Sequence, residues 1–235
     1  MASAVLPKKL LQFTYNLVLP RRCRICGVFD TWLCPTCLQQ ALLALAQRCV
    51  ICNKKTPNGA LHRGCVTRNT IDGMVSVGEF SQIRPIIHGY KYGLIKEMAK
   101  PLAELAQRYL EVKNLQNFVS KKILVPVPLH KSRLRFRGFN QSELLVRALA
   151  EITGFKVETA IERIKKTKPQ INLNRDKRES NIEGAFKVKQ DNFVSGKEIL
   201  LVDDVATTGA TLNECARVLK QAGASSVWAL VLAHD

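Results

Sequence analysis

A run of four apolar residues leads directly into two aspartates in the stretch ILLVDDVATTGATL, from Ile199 to Leu212. An apolar run of this length is typical of a strand buried in the middle of a parallel sheet. The turn and the helical pattern that follow place Asp203 and Asp204 where the chain leaves the core. Because ligands of such sheets bind at the carboxyl ends of the strands, we expect the binding site at this edge.

The turn after the aspartates has the composition of a phosphate-binding site. Small residues let backbone N–H groups approach a ligand, hydroxyls add hydrogen bonds, and the positive end of the next helix points at the same place. Carboxylates repel a phosphate, so they suit sugar hydroxyls or a divalent cation beside it. The pattern therefore predicts a ribose 5-phosphate site with these residues: Asp203, Asp204, Ala206, Thr207, Thr208, Gly209, Ala210 and Thr211.

Strand-like and helix-like segments alternate after residue 72, which predicts an α/β domain with a parallel sheet covered on both faces. We expect one helix to begin at Ser142, capped by that serine, and Pro101 to kink or restart another. The predicted domains are a small N-terminal zinc-binding module at 1–70 and the α/β domain at 71–235. The predicted strands lie within residues 73–80, 121–130, 155–164, 184–188, 199–202 and 225–233.

Seven of the eight cysteines lie before residue 66. Two residues between paired cysteines let both thiolates turn toward one ion, so two such pairs complete a tetrahedral zinc shell. Disulfides are the alternative, and reduced cytosolic thiols argue against them. Four protein ligands leave no open position, so the zinc should be structural. The predicted first site is Cys23, Cys26, Cys34 and Cys37, and the second is Cys49, Cys52, His62 and Cys65.

The second site is the less regular, since a histidine takes the place of one cysteine. A neutral imidazole can replace a thiolate in such a shell. The alternative is that His62 belongs to a surface loop. Cys215 stands apart and is expected to be a small buried residue.

The chain carries 36 Lys and Arg against 19 Asp and Glu, a formal net charge of +17. This balance favours polyanionic partners such as nucleic acid or phosphorylated ligands, with a solvated basic surface as the alternative. No window of about 18 apolar residues exists, so no membrane span is predicted. Residues 10–18 fit an amphipathic helix better than a signal peptide, and we expect a cytoplasmic protein.

The stretch ILLVDDVATTGAT resembles the phosphoribosyl pyrophosphate (PRPP) motif of type I phosphoribosyltransferases. Together with the cysteine pairs, PVPLHKSRLRFRGFNQSELL and KPQINLNRDKRESNIEGAF, it is similar to the ComF family of competence-associated proteins over essentially the whole chain. The resemblance implies a type I phosphoribosyltransferase fold, PRPP bound with Mg²⁺, and a role in natural competence and DNA uptake or processing.

The resemblance also assigns roles to two further segments. The loop at 128–141 corresponds to the diphosphate-binding loop, and its basic residues include Arg137; a solvated or nucleic-acid-binding face is the alternative. The loop at 165–181 corresponds to a flexible hood that closes over the site, with an ordinary polar loop as the alternative. The hood candidates are Gln170, Arg178 and Asn181. Lys91 resembles a family position without an assigned role.

Two hypotheses about function follow. The first is an enzyme that displaces diphosphate from C1 of the ribose, with Asp203 and Asp204 as catalytic residues and an unidentified acceptor. His88 or His130 could be its base, or each could be structural. The second is a zinc-dependent protein that binds single-stranded DNA alongside competence or recombination proteins, and keeps the pocket as a sensor or scaffold.

Overall fold

The computed structural model of the chain describes residues 21–42, 47–93, 95–167, 175–189 and 191–234. The strands of this part are β1 (Gly73–Glu79), β2 (Ile123–Pro126), β3 (Ile161–Arg163), β4 (Phe186–Val188), β5 (Glu198–Ala206) and β6 (Ser226–His234). Its helices are α1 (Pro35–Leu42), α2 (Phe80–Tyr92), α3 (Ala99–Val112), α4 (Gln116–Ser120), α5 (Lys131–Arg137), α6 (Gln141–Thr153), α7 (Arg175–Ile182), α8 (Asp191–Val194) and α9 (Ala210–Gln221). The helix predicted at 10–18 lies outside the described residues.

Four strands form a parallel sheet in the order β1-β6-β5-β2, which confirms the predicted parallel α/β architecture. In the register of the sheet, Val202 of β5 lies between Pro126 of β2 and Leu230 of β6. Since β2 ends at Pro126, the loop after β2 leaves the sheet beside the aspartates that follow Val202. The edge predicted to bind the ligand is therefore built from two neighbouring strands.

Alternate residues of β5 enter two different cores, because successive side chains of a strand point to opposite faces. Leu200 and Val202 pack with helices α2, α3 and α6 on one face. Ile199 and Leu201 pack with α9 and the β3–β4 hairpin on the other. All four residues are fully buried, at 0% exposure, as expected for a strand covered on both sides.

The N-terminal cysteine region wraps around the β1 edge of the sheet. Cys23, with Cys34 and Cys37, belongs to the core on one face, whereas Cys49 belongs to the core on the other. Between them, the Gln47 side-chain amide donates to the Ser76 carbonyl at 2.9 Å and accepts from the Ser76 N–H at 2.8 Å. These bonds satisfy backbone groups of an edge strand that would otherwise be exposed for pairing.

Three local predictions are wrong. The segment 155–164 does not form one strand of the main sheet: only Val157 bridges β2, and Ile161–Arg163 pairs antiparallel with β4 in a separate hairpin. Residues 175–181 of the predicted loop belong to helix α7. Helix α6 is capped by Asn140, whose side chain accepts from the Ser142 N–H, so Ser142 is not the cap.

Other expectations agree with the structure. Pro101 is the third residue of α3, in the first turn, where a proline costs no helical hydrogen bond, so it restarts the helical segment near its beginning rather than kinking it. Cys215 is 0% exposed within the α9 core. No helix within the described ranges combines the length and apolar character needed to cross a bilayer.

Candidate functional site

The carboxyl end of β5 forms one side of a small concavity. Asp203 lines it, followed by the phosphate turn, which we define as residues 206–211. The first residues of α9, Ala210, Thr211 and Leu212, line the same space, and the N-terminus of a helix carries the positive end of its dipole. The structure thus brings together a carboxylate and a helix N-terminus, as the sequence predicted. The lining residues are Asp203, Val205, Ala206, Thr207, Gly209, Ala210, Thr211 and Leu212.

The two aspartates have different surroundings because they are successive residues of a strand. The Asp203 carboxylate accepts a hydrogen bond from the Ser142 hydroxyl at 2.8 Å. Asp204 forms an ion pair with Lys91 of α2 at 2.8 Å, and its side chain is only 8% exposed. Lys91 therefore holds Asp204 in place, a role that the sequence did not assign to it.

The RGFNQS segment connects the loop after β2 to this site. Gly138 ends α5 in the left-handed conformation, at φ +78°. Asn140 caps α6 and also donates to the Val127 carbonyl at 3.1 Å, which ties the start of the loop to its end. The Gln141 carbonyl accepts from the buried Tyr90 hydroxyl at 2.8 Å. These bonds position Ser142 against Asp203.

Burial and the neighbouring charge of Asp204 raise the pKa of Asp203 to about 7, against the opposing effects of Lys91 and Ser142. Asp204 raises the pKa of Lys91 as well. Burial alone would lower the pKa of this lysine, but the ion pair with the carboxylate outweighs burial. Near neutral pH, Asp203 therefore exchanges readily between its neutral and charged forms.

We expect Asp203 to make folding stability depend on pH. Its pKa is about 7 in the folded chain and roughly 4 in an unfolded one. Between these values the folded state binds more protons, so the free energy of unfolding falls as pH rises from about 4 to about 7 and then levels off. Between pH 5.5 and pH 8, the free energy of unfolding measured with urea should fall by more in the wild type than in Asp203→Asn. Equal losses would contradict the assignment.

The phosphate turn is fixed from several sides. Gly209 has φ +75°, a left-handed conformation that favours glycine. The Ala210 N–H donates to the Thr208 hydroxyl at 3.4 Å, and the His234 ring nitrogen lies 3.1 Å from the Thr207 carbonyl oxygen. No sequence pattern pointed to His234, which reaches the turn because β6 lies beside β5.

Two arginine side chains lie near each other, and one of them, Arg163, lies close enough to Asp203 for the two charges to interact. Arg163 of β3 is 8% exposed and donates to the Thr167 hydroxyl at 2.5 Å. Arg133 of α5, the helix that follows β2, donates to the Thr167 carbonyl at 3.4 Å. The two guanidinium groups therefore converge on one residue. Burial, together with the charge of Arg133, lowers the pKa of Arg163. The sequence pattern assigned no role to Arg163.

Two buried donors near the site have no hydrogen-bond acceptor among the described residues, namely the Arg163 Nε and the Gln141 side-chain nitrogen. Buried polar groups are nearly always paired, so such donors indicate a missing acceptor. His130 is more easily explained: its Nδ1 caps α5 by accepting from the Ser132 N–H at 3.2 Å. His88 is exposed and stacks on Tyr92, with ring centroids 4.9 Å apart.

The hood candidates are only partly described. Arg178 and Asn181 lie in α7, which packs beside α9. Gln170 lies outside the described residues. Arg137, predicted to bind PRPP, ends α5 with its guanidinium carbon 5.7 Å from the centre of the Tyr92 ring. The contacts of these four residues with a ligand remain predictions.

The eight predicted zinc ligands form two compact groups. Within each group the sulfur and nitrogen ligand atoms all lie within 4.8 Å of one another. A tetrahedral shell with Zn–S bonds of about 2.3 Å requires sulfurs roughly 3.8 Å apart, so both groups fit zinc. The Cys26 and Cys34 sulfurs are 3.6 Å apart, and the Cys52 sulfur lies 3.3 Å from His62 Nδ1. His62 thus belongs with the cysteines.

Within the first group, the pKa of one thiol, Cys23, is lowered, whereas burial and the neighbouring cysteines raise that of Cys37. Burial raises the pKa of Cys23, but backbone N–H donors, among them that of Cys34, outweigh it and lower the pKa to about 6. Thiolates are the metal-binding form of cysteine. The arrangement therefore supports the zinc interpretation over disulfides, and none of the cysteines in the described residues is in a disulfide.

Comparison with known proteins agrees with this geometry. The phosphoribosyl transferase domain family matches residues 140–235. Competence protein F of Haemophilus influenzae is 30% identical over 196 residues, covering 80% of this chain and 80% of that protein. Competence protein ComFC of Streptococcus pneumoniae is 30% identical over 198 residues, or 83% of this chain and 77% of that protein.

A third relative is named for DNA rather than competence. The DNA utilization protein YhgH of Salmonella typhi is 34% identical over 162 residues, or 67% of this chain and 70% of that protein. The phosphoribosyltransferase motif, the two cysteine groups and these relatives agree. The chain belongs to the ComF family of competence proteins.

Proposed function

We propose that the protein binds PRPP with Mg²⁺ at the edge of β5 and transfers its phosphoribosyl group. The observation that carries this proposal is the concavity itself, where the Asp203 carboxylate stands beside a helix N-terminus. The helix end suits the 5-phosphate, and carboxylates suit the ribose hydroxyls. An uncharged ligand would fit this combination of carboxylate and helix N-terminus less well.

The diphosphate would lie toward Arg133 and Arg163. Both guanidiniums converge on Thr167, and the Arg163 Nε has no acceptor among the described residues. Arginine binds phosphate oxygens through its fork of donors, and a diphosphate would relieve the repulsion between two adjacent cations. The Gln141 amide could donate to the same ligand after a small shift.

Mg²⁺ would be bound by the protein and the ligand together. Mg²⁺ commonly uses one or two carboxylates plus substrate phosphates rather than an all-protein cage. Asp203 supplies a carboxylate, and the described residues contain no group of three potential ligands beyond the two cysteine clusters. The ion would neutralise charge on the diphosphate and make it a better leaving group.

In the reaction, the acceptor forms a bond to C1 while the bond from C1 to the diphosphate oxygen breaks. The diphosphate leaves with the electron pair, and the proton that the acceptor loses passes to the departing diphosphate or to water. Asp203 and Asp204 would hold the ribose while charge develops at C1, and the two arginines would stabilise the departing anion. Such a site works on a cytoplasmic metabolite, in the compartment where zinc-binding thiols stay reduced.

A diphosphate-release assay tests the enzymatic part of the proposal. The zinc-loaded protein is incubated with PRPP, Mg²⁺ and a panel of purine, pyrimidine and pyridine bases, and released diphosphate is measured. One base that raises release above the rate without a base identifies the acceptor class. If the protein binds PRPP but releases no diphosphate with any of these bases, it is a PRPP-binding protein rather than a transferase.

A second candidate function, binding of single-stranded DNA, is favoured by one surface. Phe136 is 87% exposed within the basic helix α5, and Tyr92 is 54% exposed beside Arg137. Exposed aromatic rings among cations bind single strands by stacking bases and pairing phosphates. The surface adjoins the pocket, because Tyr92 follows the Lys91 that contacts Asp204. Competence or recombination proteins would deliver or receive such a strand.

We expect Phe136→Ala to weaken binding of a fluorescent oligothymidine by about 5- to 100-fold, the range for loss of one base stack. Fluorescence anisotropy gives the affinity. Leu134→Ala, an aliphatic truncation on the same helix at a residue 40% exposed, serves as the control and should have little effect. Equal affinities for the wild type and Phe136→Ala would remove this surface from consideration.

A further inference from the structure

Val50 lies between the first two ligands of the second cysteine group and touches the phosphate turn. A Cβ atom added to Gly209 would lie 2.8 Å from one Val50 methyl carbon and 3.2 Å from the other. Val50 is 4% exposed and belongs to the same core as Ala206, Ala210 and Leu212. We define the cysteine knuckle as residues 49–54. The wall behind the phosphate turn is thus a side chain of this knuckle.

The knuckle that carries Val50 is held at both ends. Cys49 accepts from the Asn53 N–H at 2.8 Å and donates to the Lys54 carbonyl at 2.9 Å, which closes the knuckle. On its other side, Gln47 is bonded to Ser76 of β1. A metal shared by Cys49, Cys52, His62 and Cys65 would fix the remaining freedom of the knuckle.

We infer that Val50 is a positioning residue for the phosphate turn, and that zinc in the second cysteine group holds Val50 against Gly209. With zinc bound, the turn keeps the left-handed Gly209 conformation that aims its N–H groups at a phosphate. Without zinc the knuckle loosens, Val50 withdraws, and the turn samples other conformations. The expected effect on PRPP binding rests on the proposed function, whereas the expected effect on the conformation of the turn does not.

Hydrogen exchange of the zinc-loaded protein without ligand tests the effect on the turn. Val50→Ala should speed exchange of the amides of residues 208–212 by about tenfold, the scale of a modest change in local opening. Removing the metal with Cys52→Ala and His62→Ala should speed the same amides. Val66→Ala is the matched control, since Val66 follows Cys65 but is 45% exposed. Unchanged exchange in Val50→Ala would overturn the inference.

A double-mutant cycle tests whether the contact is direct. Gly209→Ala should lower the melting temperature through both its φ and the clash of the new Cβ atom with Val50. Adding Val50→Ala to that variant should remove the clash but leave the φ strain. The double variant should therefore melt at a higher temperature than the sum of the two single effects predicts. Additive effects would contradict direct contact even if both variants are destabilised.

Zinc release links the turn to the ligand. If the wild type binds PRPP, the ligand should slow zinc release from the second group to a chromogenic chelator, because coupling between two sites is reciprocal. Val50→Ala should weaken PRPP binding about three- to tenfold and abolish the slowing, while Val50→Ile, which keeps both γ-carbons in the apolar core, should restore both. A wild type that does not bind PRPP refutes the proposed function, whereas binding without coupling refutes this inference alone.

Discussion

The variant Asp203→Asn with Asp204→Asn is expected to lose PRPP binding and keep its fold. Each charge-assisted hydrogen bond to a ribose hydroxyl contributes about 1.5–3 kcal/mol, so loss of two should weaken binding by roughly 100-fold or more. Folding should tolerate the change because neutralising Asp203 removes its repulsion by Asp204. Lys91, whose side chain is 24% exposed, can reach water when its partner is removed.

The control for this variant is Glu104→Gln with Glu151→Gln, which removes the same charge from exposed positions on α3 and α6. Calorimetric titration measures the affinity, and circular dichroism with thermal melting checks the fold. An affinity equal to that of the wild type would overturn the assignment of the pocket. If the double variant is unfolded, Asp203→Asn alone takes its place, because the Asp203 side chain lines the concavity.

Removing Cys23 and Cys26 by serine substitution should have the largest effect on stability. Cys23 is 2% exposed in the core that α2 and α3 share, so zinc bound to its cysteine group would fasten the N-terminal region to the main sheet. Loss of a structural zinc removes several kcal/mol of folding free energy, which should lower the melting temperature by roughly 10 °C or more. Zinc content should fall from two ions per chain to one.

Cys215→Ala provides the matched control, since Cys215 is buried but lies outside both groups. It should keep both zinc ions and melt close to the wild type. Metal analysis after dialysis gives the zinc content. Unchanged zinc in the double variant would show that the first group does not bind it.

Local patterns predicted where the candidate site lies in the fold. The apolar run before Asp203 marks a central strand because few other elements bury so many successive residues, and the small turn after it has few alternatives. The spacing of the cysteines predicted both groups, including His62, since ligands of one metal must lie close together in the sequence or in the fold. The family resemblance extended these predictions to the loop after β2.

Long-range contacts could not be predicted in the same way. Lys91 and Asp204 are far apart in the chain, and their ion pair depends on how α2 packs on the sheet. Ser142 has the composition of a helix cap, but the neighbouring Asn140 takes that role and frees the hydroxyl for Asp203. Likewise, no periodicity links Val50 to Gly209, since their contact arises only when the knuckle folds against α9.

The most direct test of the account is calorimetric titration of the zinc-loaded wild type with PRPP and Mg²⁺. We predict saturable binding of one PRPP per chain, stronger than that of ribose 5-phosphate because the diphosphate reaches the two arginines. Ribose without phosphates should give no measurable heat. No binding of PRPP at concentrations up to about 1 mM would contradict a functional PRPP pocket, and would leave the surface around Phe136 as the functional part of the protein.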